Sequence, residues 1–196
     1  MNPRIAQLIE EIKEREEELE DIVKTYEQEL YYKIEGTKIK FDKLVEDTHR
    51  QLKVGLIQWL RTSSLRNILS APFIYPMIIP FVMIDIFISI YQIICFSLYK
   101  IPLVKRSKFI VIDRHHLEYL NAIEKINCVY CGYVNGLISY IREIVARTEQ
   151  YWCPIKHARK ILDPHRKYIK FSEFGNSDEF QQHIKNMRRD ICEKNN

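Results

Sequence analysis

The chain has 196 residues with 30 Lys+Arg against 26 Asp+Glu, a net charge of +4, which leaves room for one or two compact domains. The charge is unevenly spread: residues 1–66 carry 12 basic and 14 acidic side chains, and residues 99–196 carry 18 and 11, so a net of −2 is followed by +7. Five cysteines, an odd number, do not form a secreted disulfide framework, and basic charge without a recognition motif gives no reason to expect nucleic acid as a partner.

The N-terminus, MNPRIAQLIEEIKEREEELE, lacks the basic start and apolar core of a signal peptide. Ile5, Leu8, Ile12, Leu19, Ile22 and Tyr26 follow the a and d positions of a heptad, interrupted by Arg15 and Glu29. Residues 1–30 are therefore expected as a coiled-coil-like helix, either an oligomerisation or docking helix or one folded back on its own chain. Residues 31–66 follow as a second region. YYKIEGTKIKF (31–41) alternates weakly about Glu35-Gly36, consistent with a short hairpin or with a helix capped at Gly36. Leu44, Val45, Leu52, Leu56, Trp59 and Leu60 then mark one amphipathic helix from Asp42 to Leu60. Trp59, Arg61 and Arg66 suit its arrival at a head-group layer.

Phe73 to Leu98 is a run of 26 residues without Lys, Arg or Glu and with one charged group, Asp85. At ~1.5 Å rise per residue a helix of that length reaches about 39 Å, more than a bilayer core of about 30 Å. A soluble helix needs a wet side, so residues 67–104 are expected to be inserted in a lipid membrane. Pro72, Pro76 and Pro80 imply a kink or a separate short entry segment. Asp85, Ser89 and Gln92 share one helix face. That stripe is either a proton or ion relay or a polar seam gluing the helix to a neighbour, including its copy in a homo-oligomer; the seam is favoured.

Lys100, Lys105, Arg106 and Lys108 follow the run and outnumber Arg61 and Arg66 before it, which points residues 99–196 to the cytoplasm. A simple span is favoured over a re-entrant segment, because residues 77–98 alone reach about 33 Å at ~1.5 Å per residue.

Residues 105–196 are expected as a small basic helical domain. A connector with a short strand at Phe109–Ile112 would lead to helices over 113–127 and 134–150, and a last one would begin near Ser177 with Phe180, Ile184, Met187 and Ile191 on one face. Between the first two, Cys128-Val-Tyr-Cys131-Gly132 has the shape of a metal knuckle, and Cys153-Pro-Ile-Lys-His157 follows. Cys128, Cys131, Cys153 and His157 would complete a closed tetrahedral zinc site holding a domain with little core of its own. The same soft ligands suit an iron–sulfur cluster, and C-x-x-C alone could be a redox dithiol. His115 or His116 is a reserve ligand, and Cys192 a bystander. Glu143 and Glu149 fall on different helix faces, and no nucleophile triad, P-loop or dinucleotide fingerprint occurs, so no catalytic residue is assigned.

Pro72 to Gly175 resembles a family of small uncharacterised bacterial membrane proteins. The resemblance is carried by IDRHHLEYLNAIEKINCVYCGYVNGL (112–137), REIVARTEQYWCPIKHA (142–158) and DPHRKYIKFSEFG (163–175). It implies an integral protein of the bacterial inner membrane and no particular mechanism. The expected protein is mainly α: a membrane-anchored, zinc-binding scaffold, or alternatively a membrane-tethered redox or electron-transfer protein.

Overall fold

The protein is mainly helical. The structure, a computed structural model, describes residues 43–178 and 180–193 and, before them, Arg4, Gln7, residues 11–12, 14–19, 21–22, 25, 32–35 and 38–41. Two compact units emerge, Met1–Gly55 with His116–Asn121 and Leu56–His115 with Ala122–Asn196. Segments 67–104 and 105–196, expected to be separate, thus belong largely to one body.

In the first unit, the described residues between Arg4 and Thr25 are helical. Ile12, Leu19 and Ile22 of the expected seam are exposed, while Ile5, Leu8, Tyr26 and Glu29 lie outside the described residues. The hairpin is present: β1 (Tyr32–Glu35) pairs antiparallel with β2 (Lys38–Phe41), Tyr32 opposite Phe41 and Glu35 opposite Lys38. The single amphipathic helix expected over 42–60 is two, α1 (Lys43–Leu52) in this unit and α2 (Leu56–Thr62) in the second. They part at Lys53–Gly55, where glycine weakens helix propagation.

The second unit is built on α3, a helix of 35 residues from Leu65 to Tyr99. The prolines do not split it. Tyr75–Met77 tightens into a 3-10 turn and the helix resumes at Ile78. Gln92–Phe96 widens into a π turn, and Asp85, Gln92 and Phe96 all point inward. α3 ends at Lys100 in the left-handed region (φ 57), with the Ile101 N–H donating to the Phe96 carbonyl at 2.8 Å, a Schellman-type closure. Pro102 cannot continue the helix.

The chain returns through a strap (residues 100–113) into α4 (Ala122–Trp152), 31 residues without a break. This corrects two expectations: the strap carries no strand at Phe109–Ile112, and the helices expected over 113–127 and 134–150 give way to one, with Cys128 and Cys131 inside it. α3 and α4 run parallel, since their cross-links ascend together. The Tyr75 hydroxyl donates to Asn127 Oδ1 at 2.7 Å, the Tyr133 hydroxyl to Asp85 Oδ2 at 2.9 Å, and Tyr99 stacks on Tyr151 at 5.0 Å. The strap is drawn against the α4 glycines: a Cβ on Gly136 would stand 2.6 Å from the Phe109 carbonyl oxygen and 2.8 Å from Ile110 Cα.

Phe96, Ile101, Val104, Leu137, Tyr140 and Ile144 form the core at this three-way junction, with Ile191 closing it. Each such side chain contributes ~1.5–3 kcal/mol by burial. Ile191 comes from α5 (Phe180–Glu193), the terminal helix expected from the sequence. Arg188 of α5 donates to the Tyr151 carbonyl at 2.9 Å and lies over the Tyr151 ring at 4.7 Å, fastening α5 to the end of α4.

Candidate functional site

The polar stripe of α3 is where its apolar character is interrupted, and every member of it is engaged. Asp85 is 9% exposed, too buried to be left with an unpaired charge. Arg106, in the strap, places Nη2 at 2.6 Å from Asp85 Oδ2 and Nε at 3.3 Å from Oδ1, a two-pronged pair. Tyr133 of α4 donates to Oδ2 at 2.9 Å, and Ser89 approaches Oδ1 at 3.5 Å. Burial, with the bond to Asp85, pushes the Tyr133 phenol above its ordinary range, so it stays a donor at neutral pH. The Arg106 guanidinium also lies over the Tyr133 ring at 5.9 Å. Its side chain remains half exposed, so the pair is open to solvent on one edge.

Two turns along, Gln92 is 5% exposed. Its carboxamide receives the Val104 N–H at 3.1 Å, donates to the Val104 carbonyl at 3.4 Å, and meets the Tyr140 hydroxyl. Asp85 and Gln92 therefore join α3 to the strap and α4 of the same chain. The face expected as an oligomer seam is occupied from within. Sequence periodicity found the stripe but not its partners: Arg106 reads as one basic residue among several, and Tyr133 and Tyr140 as part of a helical pattern.

The expected metal ligands are not brought together. Cys128 and Cys131 lie one turn apart on α4, and Cys153 follows its last residue. Cys131 and Cys153 are 22 residues apart, about 33 Å of helix at ~1.5 Å per residue. One ion with metal–sulfur bonds of ~2.3 Å cannot reach both. Among the described residues no three His, Cys, Asp or Glu side chains group as metal ligands. The knuckle reading fails because Gly132 sits inside the helix, with Val111 of the strap against it, and makes no turn.

His157 is exposed and stacks on Tyr168, whose hydroxyl accepts from the His157 backbone N–H at 2.6 Å. The reserve ligands His115 and His116 occupy a short 3-10 turn. His165 bonds Glu149 at 2.8 Å and packs on Phe171. Desolvation, with Glu149 nearby, pushes the Cys153 thiol above its ordinary range, the opposite of a primed thiolate. Cys131 instead opens onto an apolar groove lined by Trp59, Ile68, Ile74, Ile126 and Tyr130.

α3 is long and apolar enough to cross a membrane, with a mean hydropathy of 2.2 in its most apolar 18-residue window, of which 11% is buried. No protein-family model matches the chain, and no curated protein and no solved structure matches it.

Proposed function

We propose that the protein is a membrane-anchored binding or scaffolding module, in which α3 inserts into lipid and the unit formed by α4, the loops after it and α5 is held against the bilayer. The outward turn of α3 carries this reading. Phe73, Ile79, Phe87, Ile90, Ile93, Ile94 and Leu98 are exposed, although each would gain from burial. A contiguous row of large exposed apolar side chains marks a membrane or partner surface. The side turned into protein carries Asp85, Ser89 and Gln92, with Phe96 beyond them and Phe81, Ile88 and Tyr91 packed against the core. The resemblance to small bacterial membrane proteins supports the same reading, and the basic charge after α3 favours a cytoplasmic face for the carried unit.

No arrangement of nucleophile, base and oxyanion donors accompanies the stripe, so the reading is of binding rather than catalysis. Vesicle flotation tests it. The intact chain floats with phospholipid vesicles and resists extraction by alkaline carbonate, and Phe87→Lys with Ile94→Lys abolishes both while circular dichroism stays helical. A chain that remains in the aqueous fraction as a monomer, unaffected by the two lysines, ends the proposal.

A further inference from the structure

How α3 meets the bilayer follows from the strap beside it, and this inference rests on the anchoring just proposed. A span centred on the apolar run places Asp85 near mid-bilayer. The strap runs along that same level, with Arg106 on Asp85 and Val104 on Gln92. Lys105 and Lys108 are exposed there, and Arg142 is exposed on the neighbouring turns of α4. Exposed cations at the bilayer centre are strongly disfavoured. Irregular backbone at that depth is tolerated only inside protein or a wet cavity. A perpendicular α3 would carry both into the hydrocarbon.

Both helices present apolar rows on the side away from the strap. On α3, Phe73, Pro80, Phe87 and Ile94 recur at every seventh position and are exposed. Phe87 stands two residues from Asp85, about 200° around the helix. On α4, Cys131, Ile138, Val145 and Trp152 also recur at every seventh position and are exposed. Ile138 stands two residues from Gly136, whose face meets the strap, again about 200° away. Within the strap itself the charge has one sign before Asp113: Lys100, Lys105, Arg106 and Lys108 are exposed, and no acidic residue lies between Asp85 and Asp113 in the chain, while Glu143 and Asp163 stand near its Phe109 end.

We infer that α3 lies along the membrane plane within one leaflet of an anionic bilayer. The rows of Phe73, Phe87, Ile94, Ile138, Val145 and Trp152 face the acyl chains, and the strap sits at the phosphate layer. An in-plane helix buries its apolar side by ~5–10 Å, which leaves Lys105 and Lys108, one helix thickness higher, among the head groups. Charge complementarity selects anionic lipid as the partner. The chain does not cross to the far side.

The test uses the full chain, cysteine-depleted, with one fluorophore at Phe73→Cys, Phe87→Cys or Leu98→Cys, bound to mixed phosphatidylcholine–phosphatidylglycerol vesicles. Nitroxide lipids labelled at different depths then read the depth of each position. The expected result is one shallow depth for all three, with binding to phosphatidylcholine alone weaker by about tenfold or more. A deep Phe87 between shallow Phe73 and Leu98 means a span and overturns the inference. Vesicle-bound protein whose three positions are shielded from every lipid quencher means that a second copy covers the rows, and also overturns it. Equal binding to neutral vesicles overturns the head-group assignment. Failure to float with any vesicle overturns the anchoring itself, and flotation registers that before any depth is measured.

Discussion

Gln92 and Val104 pair as two strands would, although one side of the pair is a side chain. The Val104 N–H donates to Gln92 Oε1 at 3.1 Å, and Gln92 Nε2 donates to the Val104 carbonyl at 3.4 Å. The strap has no ladder of its own at this buried point, so the carboxamide satisfies backbone groups that would otherwise be orphaned. Gln92→Leu keeps the volume and removes both bonds together with the contact to the Tyr140 hydroxyl. Each orphaned buried group costs ~1–3 kcal/mol, so a loss of about 3 kcal/mol is expected, read as a melting temperature lower by ~10 °C. Gln92→Glu can still accept from Val104 but cannot donate as a carboxylate, so it should not rescue. A Gln92→Leu protein that melts with the parent would show that the pair contributes nothing.

The two α4 glycines make a graded pair. At Gly136 a Cβ would press on strap backbone at 2.6 and 2.8 Å, which has no flexible end to yield. Gly136→Ala should cost ~1–3 kcal/mol as overpacking, despite the helix propensity alanine brings. At Gly132 the contact is 3.2 Å to the Val111 carbonyl oxygen, and there the propensity gain of ~1 kcal/mol should roughly offset it. Urea unfolding of the two variants side by side decides this. Equal midpoints would mean that the strap is not held where the structure places it.

The Asp85–Arg106 pair is half open, with side-chain exposures of 12% and 49%. Solvent screening on the arginine side limits its coupling to ~1 kcal/mol. A double-mutant cycle of Asp85→Asn and Arg106→Gln should return that value. Because Arg106, Tyr133 and Ser89 already occupy the carboxylate, Asp85→Asn should lower stability slightly and change no ion conductance of loaded vesicles. A conductance in the parent chain that vanishes in Asp85→Asn would restore the relay reading of the stripe.

The legible parts of this chain were those with strong periodicity. The apolar run announced α3, the spacing of Asp85, Ser89 and Gln92 announced a polar seam, and Phe180, Ile184, Met187 and Ile191 announced α5. The seam's partners were hidden because Arg106 lies in a strap with no period, held by side-chain bonds and by glycine contacts that only the fold creates. Cys128-Val-Tyr-Cys131-Gly132 misled for a related reason. Its glycine serves close approach of the strap at Val111, whereas in isolation the same letters signal a turn. α1 and α2 were merged because their apolar positions stay in phase across Gly55.

The same geometry separates two accounts of the cysteines. With Cys131 and Cys153 at opposite ends of 22 helical residues, about 33 Å apart at ~1.5 Å per residue, no ion within one chain links them. Desolvation, with Glu149 nearby, holds the Cys153 thiol above its ordinary range. Protein purified anaerobically and dialysed against EDTA should keep its helicity and melting temperature. Cys128→Ser, Cys131→Ser and Cys153→Ser should each shift stability by no more than ~0.5 kcal/mol, as surface changes do. Maleimide labelling of Cys153 alone should be slow at neutral pH and accelerate as the pH rises beyond the ordinary thiol range, because deprotonation supplies the nucleophile. Zinc at about one per chain in monomeric protein, lost on either Cys131→Ser or Cys153→Ser, would require these two cysteines to meet and would overturn the helix as described.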